Sequence, residues 1–343
     1  MCRHIKVAAI TGGKHVASAR FRVRQYIPEL QKYGVKVYEF VPPISKYPPP
    51  QKWLRPLWGI GAVAVRLPAV FWTYSFDLVL LEREMISTFV TLEPLTKRPR
   101  VLDIDDAIFV YRGGKTARRL AELSNLIICG NHFLAGWFSR WNSNVAVIPT
   151  AVDTNRFKPN PNAASSGRLI IGWVGSSSNF RYLYMIEGAL EKIIARFPQV
   201  YLRIIADRKP KFKDSLIRRT EWVRWSPESE ILGLQDLTIG IMPLADTEWE
   251  RGKCSYKMLL YMACGIPVVV SPVGMNAEVL SLGNFGYAAN TESEWYDALT
   301  ALLLMNEKER RRMGLIGRDV VQRYFSIEVL APRLAQELKR VAV

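Results

Sequence analysis

The chain has 343 residues, 49% of them apolar and 23% charged, a composition typical of a globular protein. One hydrophobic core rarely serves a chain of this length, so two domains are expected. The 47 lysines and arginines outnumber the 31 acidic residues and leave a net charge of +16. This charge favours a polyanionic partner, which could be nucleic acid, an anionic membrane surface or a phosphorylated substrate. A basic surface without a specific ligand is the alternative.

The cysteines, histidines and N-terminus argue against several classes of protein. The four cysteines have no CxxC spacing, which argues against a disulfide framework and indicates a reducing compartment. With only three scattered histidines, the cysteines form no recognisable zinc pattern. The N-terminus lacks the apolar run of a secretory signal. The sequence therefore predicts a cytoplasmic protein, and a peripheral position at the inner face of the plasma membrane stays open.

Apolar runs of strand length alternate with segments of helix length along the whole chain, which predicts parallel sheets wound with helices. In the first half the predicted strands are 6–10, 36–40, 77–82, 100–105, 125–130 and 145–149. In the second half they are 168–175, 200–206, 220–225, 236–244, 266–271 and 285–289. Residues 151–167 are polar and rich in Asn, Pro and Ser, so they predict a linker between a domain at 1–150 and a second one from 168. The fold class is α/β, with two doubly wound, Rossmann-like domains, whose ligands are expected beyond the carboxyl ends of the strands.

Residues 48–76 are apolar and rich in tryptophan. Arg66 and Pro68 interrupt the segment, so it lacks the roughly 18 uninterrupted apolar residues of a spanning helix. We expect a buried helix of the first domain. A helix at a membrane interface, with its lysines and arginines on phospholipid headgroups, is the alternative, and both could hold on opposite faces.

The loop after the first strand is glycine-rich and leads into a basic helix. Gly12 and Gly13 permit a tight turn, and Ser18 is expected to cap the helix. Arg20 and Arg24 would share one helix face and could present two guanidinium groups to a phosphate. A solvated basic helix is the alternative.

Three carboxylates, of Asp103, Asp105 and Asp106, lie at the end of the fourth predicted strand. They could ligate Mg²⁺ or supply a phosphoryl-transfer nucleophile. The expected Thr or Ser two residues beyond the second aspartate is missing, which argues against the nucleophile. Capping of the next helix, or pairing with an arginine, is the structural alternative, and we expect no metal.

In the second half, Gly175 ends a strand and is followed by Ser176 and Ser177, with Arg181 one turn into the next helix. Backbone amides, serine hydroxyls and a helix N-terminus together suit a diphosphate. The alternative is a well-capped helix that binds nothing.

Residues 251–280 contain two lysines and two glycine turns around an apolar strand. Lys253 and Lys257 are four residues apart and are expected on one helix face, where Lys257 would be a point charge for a leaving phosphate. Gly265 is expected to end that helix. Gly274 would free the backbone amides of the next loop, and Glu278 would accept hydroxyl groups.

These segments resemble the GT-B glycosyltransferases of family 4, which transfer a sugar from a nucleotide diphosphate donor. The resemblance rests on residues 257–280, which look like the donor-site block of the family, and on 18–30, 102–109 and 150–159. It implies that the two domains face a cleft, that a domain at 168–325 binds the nucleotide sugar, and that the first domain binds a glycan or lipid-linked acceptor. It also implies that a C-terminal helix, within 326–343, packs back on the first domain.

The resemblance further implies a retaining enzyme that needs neither a metal nor another cofactor. The catalytic candidates are Lys257, Arg181 and Lys253. The donor-binding candidates are Gly12, Gly13, Gly175, Ser176, Ser177, Gly274, Met275, Asn276 and Glu278. The residues expected on the acceptor side, or in structural roles, are Arg20, Arg22, Asp103, Asp105 and Asp106.

The sequence departs from the family at two positions. Members usually carry two glutamates eight positions apart where this chain has Gly252 and Leu260. Glu250 or Ser255 could substitute, or the activity could be weak or absent. Two other functions therefore stay open: a degenerate GT-B domain that binds sugar nucleotides or scaffolds a polysaccharide complex, and a basic protein that binds nucleic acid through its aromatic residues.

Overall fold

The computed structural model describes residues 4–14, 16–160 and 167–342. All twelve predicted strands are present, and they form two parallel sheets of six strands each. The predicted α/β class with two Rossmann-like domains is therefore confirmed. Residues 161–166 of the predicted linker lie outside the described part of the chain.

The first sheet has the strand order β2-β1-β3-β4-β5-β6. Its strands are β1 (Ile5–Ile10), β2 (Val35–Phe40), β3 (Leu78–Glu82), β4 (Arg100–Ile104), β5 (Leu126–Cys129) and β6 (Val145–Val147). The central strands β3, β4 and β5 are buried along their whole length, whereas the edge strands β2 and β6 are partly exposed. This burial explains why the central strands are continuous apolar runs, because both faces of a parallel sheet are covered.

The α-helices of the first unit are short, apart from the C-terminal one. They are α1 (Ile27–Lys32), α2 (Arg55–Ala64), α3 (Leu67–Trp72), α4 (Lys115–Leu123), α5 (His132–Phe138) and α15 (Ile327–Val341), which is numbered in chain order. Ala19–Val23 form one turn of π-helix before α1. Buried side chains of α15 recur at helical spacing, at Ile327, Leu330, Leu334 and Leu338, and pack in one cluster with β-strand residues such as Val7.

The second sheet has the strand order β12-β11-β10-β7-β8-β9. Its strands are β7 (Leu169–Val174), β8 (Val200–Ala206), β9 (Thr220–Arg224), β10 (Ile239–Met242), β11 (Val268–Val270) and β12 (Gly286–Ala288). The α-helices are α6 (Phe180–Tyr184), α7 (Glu187–Arg196), α8 (Asp214–Ile217), α9 (Pro227–Gln235), α10 (Glu248–Arg251), α11 (Tyr256–Ala263), α12 (Met275–Leu280), α13 (Glu292–Leu304) and α14 (Glu307–Tyr324). β10 and β11 are fully buried in the middle of this sheet.

The chain divides into two compact units. The first contains the residues up to Ala151, Arg251–Cys254 and those from Ile327 onwards, and the second contains Val152–Glu250 and Ser255–Ser326. The described part of the predicted linker is packed on the second unit: the Arg318 guanidinium donates to the carbonyls of Thr154 and Phe157, at 3.1 Å each. Arg251–Cys254 group with the first unit although their neighbours in sequence belong to the second.

The tryptophan-rich segment differs from the favoured expectation of a buried helix. Lys52–Ser75 form a 3₁₀ turn, α2, α3 and a second 3₁₀ turn, and only 17% of the most apolar stretch is buried. Ala62 and Val70 face the unit, but Trp53, Leu57 and Phe71 are 68–74% exposed. These exposures favour the alternative of a helix at a membrane interface.

Candidate functional site

The carboxyl edge of the second sheet brings together the loops after β7, β10 and β11, because these strands are neighbours. Side chains connect the loops. The Ser271 hydroxyl accepts a hydrogen bond from the Leu244 amide at 3.1 Å, and the Asn276 amide donates to the Ser271 carbonyl at 2.9 Å. The Ser255 hydroxyl donates to Asn276 Oδ1 at 2.7 Å. The start of α11 is thereby fixed against the start of α12.

Lys257, in the first turn of α11, lies at the end of β7. Its ammonium is 4.6 Å from the ring centroid of Trp173, a distance at which a cation is attracted to the ring face. A Cβ at Gly175 would lie 2.8 Å from Lys257 Cε and 2.7 Å from the Trp173 ring. Glycine is therefore needed at 175 for the lysine to occupy this place. Gly175 and Lys257, two separate candidates from the sequence, therefore lie next to each other.

Arg181 is held by Glu250. The guanidinium donates to Glu250 Oε1 at 2.9 Å and to the Tyr182 hydroxyl at 2.6 Å, and the Tyr182 and Thr247 hydroxyls also donate to this carboxylate. The Arg181 side chain is 62% exposed, whereas that of Glu250 is 3% exposed. A buried carboxylate thus fixes an exposed guanidinium at this edge.

Burial and hydrogen bonding have opposite effects on the pKa of Glu250 in this cluster. Burial acts to raise the pKa of Glu250, but the hydrogen bonds from Thr247 and Tyr182 and the charge of Arg181 outweigh it and lower the pKa. Burial, together with the bond to Glu250, raises the pKa of Tyr182 to about 12. Glu250 is therefore an anion at neutral pH and Tyr182 a neutral donor.

The serine loop differs from its prediction at one residue. The Ser177 amide and hydroxyl donate to the two carboxylate oxygens of Asp207 at 2.6 and 2.8 Å, so both donors are engaged within the protein. Partial burial acts to raise the pKa of Asp207, but these bonds outweigh it and lower the pKa. The Ser178 hydroxyl donates to Ser176 Oγ at 3.1 Å.

The loop after β11 turns at Gly274, whose φ of 54° lies in the region that favours glycine. α12 begins at the next residue, Met275, which is 3% exposed, and Asn276 is 1% exposed. Their side chains support the loop. Glu278, in contrast, is exposed to solvent.

The prediction that Lys253 and Lys257 share one helix face is wrong. α11 begins only at Tyr256, and Ser255 before it has a φ of 52°, which interrupts any helix from α10. Lys253 belongs to the first unit, where its ammonium is 3.9 Å from Asp106 Oδ1. Gly265, with a φ of 71°, follows the end of α11 as predicted.

The carboxyl edge of the first sheet is dominated by buried ion pairs. Arg22 donates to both carboxylate oxygens of Asp103 at 2.8 Å, and also to the Ile148 carbonyl and the Thr150 hydroxyl. The side chains of Arg22 and Asp103 are 2% and 3% exposed. Burial acts to lower the pKa of Arg22, but Asp103 outweighs it and raises the pKa.

A second pair of aspartates is clamped by Arg83. Its guanidinium donates to Asp105 at 2.5 Å and to Asp106 at 2.6 Å. Burial acts to raise the pKa of Asp105, but the charge of Arg83 outweighs it and lowers the pKa. Within the described residues, no group of three or more His, Cys, Asp or Glu side chains has an arrangement that could hold a metal ion. Each aspartate of the motif is instead paired with an arginine.

The first glycine loop is tied to Glu82, at the end of β3. The Gly12 amide donates to Glu82 Oε2 at 2.9 Å and the Ser18 hydroxyl to Oε1. Ser18 therefore does not cap the following helix, contrary to the prediction. The Lys46 ammonium lies 3.9 Å from Glu82 and is fully buried.

Arg24 is engaged within the protein rather than presented together with Arg20. It pairs with Glu39 at 2.7 Å and donates to the carbonyls of Gly13 and Lys14. The Arg20 guanidinium lies 4.3 Å from the Phe21 ring centroid. The π-helical turn also means that these two arginines do not have α-helical spacing.

The two positions where the family usually has glutamates are closed by packing. A Cβ at Gly252 would lie 2.6 Å from the Ala107 Cβ and 2.7 Å from its backbone nitrogen. Leu260 is 1% exposed within α11. Glu250, which holds Arg181, is the carboxylate nearest in sequence to Gly252.

Several residues of these clusters were not predicted. Glu82 is the last residue of the predicted strand 77–82 and Arg83 follows it, so their place at a strand end is a signal that could have identified them. Asp207 directly follows the predicted strand 200–206, so it carried the same signal. Trp173 lies inside a predicted strand and carried none, because its packing against Lys257 depends on tertiary contacts.

Residues 168–305 match the family model Glycosyl transferases group 1. No curated protein sequence is significantly similar to the chain.

Three of the solved structures that are similar to this chain match it over almost the full length of both chains. Sucrose-phosphate synthase from Thermosynechococcus elongatus has a TM-score of 0.76 at 16% identity, covering 98% of this chain and 99% of that one. HepE of Anabaena in complex with UDP and glucose has a TM-score of 0.72 at 16% identity, covering 98% and 100%. A glycosyltransferase from Rickettsia africae has a TM-score of 0.70 at 12% identity, covering 98% of each chain. The likeness shows that the fold is GT-B.

Proposed function

We propose that this protein is a glycosyltransferase that transfers a sugar from a nucleotide diphosphate sugar to a glycan or lipid-linked acceptor. The observation that carries the proposal lies in the second unit, in the part that matches the glycosyltransferase family model. There the Lys257 ammonium lies on Trp173, against Gly175, at the carboxyl edge of the sheet. Ligands of doubly wound sheets bind at that edge.

The chemistry of the edge suits a diphosphate. Arg181 offers an exposed guanidinium whose direction is fixed by Glu250, and Lys257 offers an ammonium. A guanidinium fork and an ammonium are the side chains that most often bind phosphate oxygens. HepE, whose fold is similar, was solved in complex with UDP and glucose, which supports a uridine nucleotide as the first donor to test.

In the proposed reaction, the bond between the sugar and the diphosphate breaks and negative charge develops on the leaving phosphate. Lys257 and Arg181 stabilise that charge, and their positions are fixed before the reaction begins. The acceptor oxygen forms the new bond to the sugar carbon that the diphosphate leaves, a phosphate oxygen of the donor takes the proton of the acceptor hydroxyl, and the configuration at the sugar is retained. The proposal includes no metal ion.

A second candidate is a GT-B protein that binds a sugar nucleotide without transferring the sugar. Its support is the pair of family glutamate positions, because Gly252 has no room for a side chain and Leu260 is buried. Under this alternative, Glu250 positions Arg181 for binding but no carboxylate contacts the donor in the usual way.

A thermal-shift screen with UDP, GDP, UDP-glucose and GDP-mannose tests both candidates, because a ligand that binds the native state raises the melting temperature. We expect a shift with one nucleotide diphosphate and its sugar, and slow hydrolysis of that sugar nucleotide. Binding without hydrolysis or transfer would favour the second candidate. No shift with any nucleotide would contradict both.

Replacement of Lys257 sharpens the test. We expect Lys257→Ala to weaken nucleotide binding about tenfold to a hundredfold, since a charge-assisted hydrogen bond is worth about 1.5–3 kcal/mol, and to lower turnover by about 10²–10³. Lys192→Ala is the matched control: it removes a lysine of α7 in the same unit, which pairs with Glu292 at 2.8 Å. If both variants bind the nucleotide equally well, Lys257 is not at the diphosphate.

A further inference from the structure

An exposed apolar surface lies on the first unit, on Lys52–Ser75. The largest exposed side chains are those of Trp53, Leu57, Ile60, Phe71, Trp72 and Tyr74, each 61–74% exposed. Trp53 lies in the 3₁₀ turn just before α2, and Leu57 and Ile60, three residues apart, lie on one face of α2. We call these six residues the apolar face. Six large apolar side chains exposed on one helical segment indicate an interaction site.

The segment is fastened to the unit by its opposite side. The buried Arg66 guanidinium donates to the carbonyls of Ala62 and Ile44 at 2.7 and 3.0 Å. The Trp58 indole donates to the Ser45 carbonyl at 3.2 Å, and the Thr73 hydroxyl accepts from the Lys97 amide at 3.0 Å. The apolar face is therefore displayed by a fixed element.

The charges around the face favour one kind of partner. Between Glu39 and Asp77 every charged residue is basic, and two of these, Lys52 and Arg55, are exposed beside the apolar face. The whole chain carries +16. Apolar and aromatic side chains flanked by lysine and arginine are the composition of helices that lie in a bilayer interface on anionic lipids.

The tyrosine and tryptophans support the same partner. Their rings have an apolar body and a polar group, which suits the headgroup level of a bilayer. The Tyr74 hydroxyl donates to the Leu95 carbonyl at 3.1 Å, which brings Leu95, itself 54% exposed, next to the apolar face. The surface thus continues beyond the two helices.

The geometry points to a helix pair that lies on the membrane rather than across it. By length and composition, Lys52–Ser75 are sufficient to cross a bilayer. The segment, however, is divided: α2 has 10 residues and α3 has 6. At 1.5 Å per residue these are about 15 and 9 Å long, against about 30 Å for the hydrocarbon core. Arg66, buried between the two helices, also fixes the break.

We infer that the apolar face of Lys52–Ser75 docks on the surface of an anionic lipid bilayer, with Lys52 and Arg55 at the headgroups. The inference does not depend on the proposed transferase activity, because the surface lies on the first unit and the diphosphate candidates on the second. A membrane position does suit a lipid-linked acceptor.

Co-sedimentation with lipid vesicles tests the inference. We expect the full chain to sediment with vesicles of phosphatidylcholine and phosphatidylglycerol, and less with phosphatidylcholine alone. High salt should weaken binding to the anionic vesicles, because exposed charges are screened. The double variant Leu57→Glu/Ile60→Glu should bind the anionic vesicles at least about a hundredfold more weakly, because two large apolar side chains no longer enter the bilayer interface.

The matched control is Leu232→Glu/Leu304→Glu on the second unit, where the two leucines are 66% and 64% exposed. It adds the same charge at similar exposure and should bind vesicles nearly as well as the unchanged chain. Circular dichroism melting of both variants checks that they are folded. Equal loss of binding in the two variants would overturn the inference, since binding would then depend on net charge alone.

Three further measurements distinguish docking on a bilayer from the other ways in which this surface could be covered. Brominated lipids should quench tryptophan fluorescence of the bound protein, and Trp53→Phe/Trp72→Phe should remove much of that quenching. Sedimentation velocity without lipid should give a monomer. A dimer abolished by Leu57→Glu/Ile60→Glu, without vesicle binding, would assign the face to a second copy of the chain. Resistance to alkaline carbonate extraction would indicate a spanning helix. Either result overturns the inference.

Discussion

The two sheets have the same parallel architecture, but the charged groups at their carboxyl edges are arranged in opposite ways. In the first unit the arginines that hold the three aspartates at this edge are buried: the side chains of Arg22 and Arg83 are 2% and 9% exposed. In the second unit the Arg181 side chain is 62% exposed, while its partner Glu250 is buried. One edge encloses its cations and the other displays one.

The two arrangements leave different amounts of charge available to a ligand. Buried pairs such as Arg22 with Asp103 satisfy each other, so they fix the loops but leave little charge for a ligand. A buried carboxylate beneath an exposed guanidinium also fixes the loop, yet it leaves the guanidinium's outer donors facing solvent. By this criterion the second edge is the better anion site, although the first edge contains more charged residues.

Removal of one member of the buried pair should produce the largest effect. Asp103→Ala leaves the Arg22 guanidinium buried without its carboxylate, so we expect the free energy of unfolding of the first unit to fall by about 3–5 kcal/mol. Urea unfolding measures it. Glu122→Ala is the control in the same unit, because it removes an exposed pair with Arg118 and should change little.

A double variant distinguishes charge from packing. Arg22→Met/Asp103→Leu removes both charges and should recover most of the lost stability, because apolar residues of similar size can replace a buried pair. If Asp103→Ala unfolds no more easily than Glu122→Ala, the first edge is not held by this pair and the contrast between the edges fails.

A smaller effect is expected where Arg251–Cys254 pack in the first unit. Gly252→Ala would force a methyl group to within 2.6 Å of the Ala107 Cβ, and the adjacent backbone cannot easily move. We expect a loss of about 1–3 kcal/mol by overpacking. Gly136→Ala, within α5, meets no atom within 4 Å and should gain up to about 1 kcal/mol from helix propensity. Similar melting temperatures for the two variants would contradict the close packing of this segment.

The smallest effect concerns pH and Glu250. Because the pKa of Glu250 is lowered in the folded protein, its carboxylate stabilises the fold fully above the unfolded value of about 4.3, and this contribution is lost as the pH falls through the folded pKa. Urea midpoints of the unchanged chain and of Glu250→Gln should therefore differ at pH 7 and converge in acid. A difference that stays constant with pH would show that the carboxylate charge is not what holds Arg181.

The fold was predictable from the sequence because its signal is local. The run 78–81, LVLL, is apolar without interruption, and it forms a strand buried on both faces of a parallel sheet. Glycines in the connections were equally informative: Gly265, after the end of α11, and Gly274, in the loop after β11, have the positive φ values that other residues avoid.

The candidate site was predictable only in part. Gly175 and Lys257 were both identified, but the Lys257 ammonium lies on the ring of Trp173. Trp173 is 84 positions before the lysine in the chain and gave no signal of its own. Ser18 matched a helix cap in sequence, but its hydroxyl donates a hydrogen bond to the carboxylate of Glu82 instead. A local pattern cannot show which distant acceptor competes for a donor.

The sequence by itself determined the twelve strands, their parallel pairing into two sheets and the glycine turns at their ends, because these follow from hydrophobic periodicity and backbone sterics within short windows. The tertiary structure decided which charges are enclosed and which are displayed. It paired Arg22 with Asp103 across 81 residues, placed Lys253 and Lys257 in different units, and left the apolar face of Lys52–Ser75 exposed. Burial and ion pairing depend on residues that are distant in the chain, so only the folded molecule specifies them.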